Sequence, residues 1–122
     1  MFSFVKIASF LLLLASLSQD IHALQEQPSG GQSAQEKKLL QVARQSALIA
    51  GGARYCKLDT DDIEEFIGKT DARIVLLARD DYQKILGRLE FKNILAAASA
   101  KAPDMGCDKL GQQLAEMLRS SR

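Results

Sequence analysis

The sequence predicts an all-α protein, a small three- to four-helix bundle stapled by one disulfide and preceded by a cleaved signal peptide. Three observations predict it. Apolar residues recur at three- and four-residue steps over most of the chain beyond residue 34. The one β-leaning stretch, Arg73–Leu77, does not alternate and continues a helical stripe on both sides. The two cysteines, Cys56 and Cys107, stand where a bond between them would tie the first helix to the last.

The amino terminus carries the address. Lys6 supplies a positive start, Ile7–Leu17 an apolar run, and Ile21-His22-Ala23 ends in a small residue suited to signal peptidase. The apolar run is shorter than the roughly 20 residues that a bilayer core requires, and polar Ser18-Gln19-Asp20 follows at once. Residues 1–23 are therefore expected to be a signal peptide and the product periplasmic or secreted, with no stable membrane anchor. Residues 24–34, LQEQPSGGQSA, have the composition of a disordered tail, and residues 35–122 are expected to form a single helical domain.

The first helix is expected over 35–50, with Leu39, Leu40, Ala43, Ala47 and Leu48 facing a partner and Gly51-Gly52 stopping it. The second should run from Thr60 to about Arg79, capped by Asp59 or Thr60. Its stripe is Ile63, Phe66, Ile67, Thr70, Ile74 and Leu77. Val75 and Leu76 lie off that stripe and suggest either a second neighbour, which would make this helix the central one, or an exposed apolar strip, of which the second neighbour is the favoured reading.

Asp80-Asp81 opens the third helix, in which Tyr82, Ile85, Leu86 and Leu89 form a face leading to Phe91, Ile94, Leu95 and Ala98. The phase shifts between Glu90 and Asn93, where a kink or break is expected. Helix then continues to about Ala102, before Pro103, and the low charge of Ile94–Ala102 reads as burial. The last helix opens at Gly106-Cys107-Asp108 and places Leu110, Leu114, Met117 and Leu118 on one side.

A Cys56–Cys107 bond would close a loop worth roughly 4 kcal/mol of unfolded-state entropy, a large share of the stability of a thin core. The spacing excludes a CxxC redox pair. The competing reading is a free, reactive Cys107 at a helix start, but Asp104 and Asp108 beside it oppose formation of the thiolate.

Composition closes off most chemistry. Sixteen basic residues against fifteen acidic leave a net charge of +1, without the basic stripe that nucleic acid needs. His22, the one histidine, leaves with the signal peptide, so Ser-His-Asp and Cys-His mechanisms cannot be assembled. Two cysteines without histidine do not complete a zinc site, and Ile63 occupies a ligand position that an EF-hand loop would need. Gly51-Gly52 lacks the Lys-Ser/Thr of a phosphate loop. The carboxylate pairs Asp61/Glu65 and Asp80/Asp81 could serve as acid and base, but helix capping explains them more simply.

The expectation is a non-catalytic protein without cofactor or metal. It would act on another protein as an inhibitor, adaptor or secretion-linked factor, with homodimerisation through Val75-Leu76 as a further option. In plan, a signal peptide followed by a small helical domain with one long-range disulfide resembles the acid-activated chaperones of the Gram-negative periplasm. That resemblance is architectural and brings no site residues with it. It implies the alternative of a stress chaperone opened by self-repulsion once its carboxylates are protonated.

Overall fold

The computed structural model describes residues 33–122, so the signal peptide and all but the last two residues of the expected tail lie outside the described residues. Four helices make up the described part: α1 Ala34–Tyr55, α2 Thr60–Leu77, α3 Asp81–Ala98 and α4 Cys107–Ser120. No strand occurs among the described residues.

α1 begins one residue before the expected start. Ser33 caps it, its hydroxyl accepting the Glu36 amide at 3.1 Å, in a Ser-x-x-Glu spacing typical of helix starts. Asp59 caps α2 by accepting from the Asp62 amide at 3.0 Å, and Asp80 caps α3 by accepting from the Gln83 amide at 2.8 Å.

The helices alternate in direction. Arg54 pairs with Glu64 at one end of α1 and α2, and the Gln35 amide donates to the Leu77 carbonyl at the other, so these two run antiparallel. α3 returns parallel to α1, with Arg44 bridging to Glu90 and Gly51 lying against Ala98. α4 starts beside Gly52 and ends against the middle of α2, where Arg122 meets Glu65.

α1, not α2, is the central helix. It packs on the other three, which leaves buried residues on most of its circumference, among them Leu39, Ala43, Ala47, Ala50 and Ala53. A helix surrounded in this way needs small residues where neighbours cross, hence its alanines and glycines. The expected stop at Gly51-Gly52 is corrected accordingly: both glycines are helical and buried. A Cβ on Gly51 would sit 2.5 Å from that of Ala98, and one on Gly52 would sit 2.8 Å from the Leu110 side chain. The glycines allow close approach.

The true stop lies five residues further on, at Lys57, whose φ of 55° is left-handed. The Leu58 amide donates back to the Ala53 carbonyl and the Lys57 amide to that of Arg54, a Schellman closure with Leu58 tucked onto the core.

α3 also departs from its expected form. It is one unbroken helix ending at Ala98, and its inward residues are Gln83, Gly87, Phe91, Leu95 and Ala98. The apparent phase shift arose from joining two different faces, since Tyr82, Ile85 and Leu89 are exposed. Gly87 lets α3 close on Ile74 and Leu39, and buried Gln83 is satisfied by accepting the Arg79 amide at 2.9 Å. Leu48 and Leu76 are exposed rather than buried, and within Ile94–Ala102 only Leu95 and Ala98 are buried.

The disulfide is formed. Cys56, the residue closing α1, and Cys107, the first of α4, have Cα atoms 5.6 Å apart, and neither cysteine is free. Gly106, at φ 84°, makes the turn that brings Cys107 there, a conformation that costs glycine little. Leu110, Leu114 and Leu118 then bury along one side of α4, as the sequence predicts.

Candidate functional site

α2 and α4 run side by side over α1 and leave between them a groove of about 490 Å³. Phe66, from the stripe of α2, forms apolar floor, Met117 of α4 one wall, and Leu76, which is 85% exposed, the outer lip. Two hydroxyl residues sit within this apolar lining: Ser46 from α1 and Thr70 from α2, only 8% and 5% exposed. Among the described residues neither hydroxyl has a hydrogen-bond partner. Gln35 Oε1 is the one fully enclosed side-chain atom without a partner there, so the two hydroxyl oxygens retain access to the groove. Covering these hydroxyls without giving them partners would be unfavourable, so a ligand that closes the groove has to bring its own donor or acceptor.

The rim is charged. Lys69 donates to Ser121 Oγ at 2.7 Å and pairs with Glu65 at 3.1 Å, and Glu116 pairs with Arg119. Arg73, exposed beside the groove, forms no ion pair among the described residues. Below the rim, Glu65 is held between Arg122 and Lys69. Hydrogen bonds from these two cations lower its pKa, Arg122 having the larger effect. On the other side of α2, Arg88 grips Asp71 through two hydrogen bonds of 2.7 and 3.0 Å and lowers its pKa likewise.

The carboxylates considered for acid and base chemistry are dispersed. Glu65 serves Arg122 and Lys69, Asp80 caps α3, and Asp81 lies 3.5 Å from Lys84. Asp61 is exposed in the first turn of α2. Among the described residues no group of three or more His, Cys, Asp or Glu could hold a metal ion, and no helix is long and apolar enough to cross a membrane.

A second exposed apolar feature lies on α3, where Tyr82, Ile85 and Leu89 are 67%, 58% and 52% exposed. They project away from the Gln83–Gly87–Phe91 face that packs inward. Their spacing in the sequence suggests core instead, and nothing in the sequence singles out Ser46 or Arg73, whereas Met117 belongs to the apolar side expected of the last helix. The available signal for the groove was polar Thr70 within an otherwise apolar stripe.

No protein-family model matches the sequence, and no curated protein or solved structure matches it significantly.

Proposed function

We propose that this chain is an exported, non-catalytic interaction factor, periplasmic or secreted, that receives a segment of a partner protein in the groove between α2 and α4. The observation that carries the reading is the pair of unpartnered hydroxyls, Ser46 and Thr70, within an apolar groove. A segment with an apolar anchor and an adjacent backbone or side-chain polar group satisfies both features, and Arg73 at the edge favours an acidic neighbour. Inhibitor, adaptor and secretion-linked factor all fit this description.

Photo-crosslinking in the exporting cell tests it. A crosslinker at Met117 should yield a discrete adduct that is lost with Leu76→Asp and kept when Lys109, on exposed α4 surface, is changed instead. Adducts of equal yield from Met117 and Lys109 would refute a groove-specific partner.

The stress-chaperone reading draws support from the ion pairs Glu65–Arg122 and Asp71–Arg88, which hold α4 and α3 to α2 and disappear on protonation. It predicts apolar dye binding and suppression of client aggregation near pH 2, and full native packing in acid would end it.

A further inference from the structure

We propose that the outward face of α3 binds a second copy of this chain, pairing antiparallel with its counterpart to form a two-fold symmetric dimer. This goes beyond the groove reading and does not depend on it.

The face has the spacing of a helix–helix seam. Tyr82, Ile85, Leu89, Lys92 and Ala96 follow one another at steps of three and four residues, diametrically opposite the residues that α3 buries. Three of the five are large apolar side chains left more than half exposed. When the helix is turned antiparallel about a dyad level with Gly87, Ile85 of each copy meets Leu89 of the other, and Tyr82 meets Lys92. The face is complementary to itself.

Charge supports the same register. Asp81, whose side chain is 94% exposed and lies 3.5 Å from Lys84 of its own helix, falls beside Lys92 of the second copy as a further cation, and Lys92 forms no ion pair among the described residues. The ammonium would also lie over the Tyr82 ring, a favourable cation–π arrangement. Near the dyad the two Arg88 side chains approach each other, but each is already neutralised by its doubly bonded Asp71. Half-buried Leu86 flanks the dyad on the other side. A parallel pairing would instead stack Asp81 on Asp81 and Lys92 on Lys92. No residue of α3 lines the α2–α4 groove.

Sedimentation equilibrium of the oxidised, exported protein should show mass rising from monomer to dimer between about 5 and about 500 μM, the regime of a small interface. Leu89→Asp should give a monomer throughout while leaving the helical circular dichroism unchanged. Asp81→Lys and Lys92→Asp should each weaken dimerisation about tenfold, and combining them should restore it to within about threefold. Spin labels at Ala96 should lie roughly 27 Å apart between copies, nine residues on either side of the dyad, against about 10 Å for a parallel pair. A monomer at every concentration, a dimer indifferent to Leu89→Asp, or the short label distance would each overturn the proposal.

Discussion

Lys57 takes a left-handed backbone conformation that disfavours any residue with a Cβ, yet the Schellman closure requires it there. Lys57→Gly should therefore raise stability by about 0.5–1 kcal/mol, the relief of strain being partly offset by the greater freedom of glycine in the unfolded chain. Urea unfolding reads the gain, and a lowered midpoint would count against that account of the helix end. Glycines within the helices give the complementary test. Gly51→Ala places a methyl against the Ala98 Cβ and, at 2.9 Å, the Leu95 carbonyl oxygen, so α1 and α3 must separate. The expected loss is roughly 1–3 kcal/mol, despite a helix-propensity gain of about 1 kcal/mol. Gly68 is exposed and has nothing within 4 Å of an added Cβ, so Gly68→Ala keeps the propensity gain. Thermal melts of the two variants should shift in opposite directions.

At the scale of elements, periodicity made all four helices legible, and α2 and α4 nearly to their buried residues, because each buries a single stripe. α1 hid its role because its exposed stripe, Lys37, Lys38, Gln41, Arg44 and Gln45, is the one that a helix packed on a single partner would also show, while the contacts on its flanks are made by small residues. Its Gly51-Gly52 pair looks the same in sequence whether it ends a helix or admits a neighbour. α3 misled for the opposite reason. In its first half Tyr82, Ile85 and Leu89 face solvent while Gln83 and Gly87 face inward in line with Phe91 and Leu95, and hydrophobicity alone assigns that half the wrong way round. The groove was hardest to read, since its hydroxyls come from α1 and α2 and its wall from α4, a juxtaposition that only tertiary packing creates. How α4 is held at its far end is testable by pH. Glu65 has its pKa lowered by Arg122 first and Lys69 second, so its contribution is present above the ordinary carboxylate range and lost as pH falls through the lowered value. Glu65→Gln should therefore lower the unfolding midpoint near pH 7 and converge with the parent once acid has protonated Glu65. Because the pair is exposed, the difference should also shrink in high salt, and a gap that persists in acid would assign it to packing instead.

For the whole molecule, the disulfide decides how the parts hold together. The Cys56–Cys107 bond joins the end of α1 to the start of α4 across a sequence separation of 51, enclosing α2 and α3 in the loop. Its loop-closure value of roughly 4 kcal/mol compares with a total of about 5–15 kcal/mol for a typical domain, so reduction should lower the urea midpoint by a large fraction. The loss should not fall evenly. α1 and α3 meet along a close seam from Leu39 to Ala98, whereas α4 is held by three leucines, end-on polar pairs and the disulfide itself. Freed at Cys107, α4 and the loop before it can detach as a unit while the other three helices stay packed. Hydrogen exchange after reduction should then accelerate amides from Leu110 to Leu118 well before those of α1 and α3. Equal acceleration in all four helices would instead mean that the bundle opens only as a whole. Since α4 is one wall of the groove, selective detachment would also abolish the proposed partner site under reducing conditions, confining its activity to an oxidising compartment.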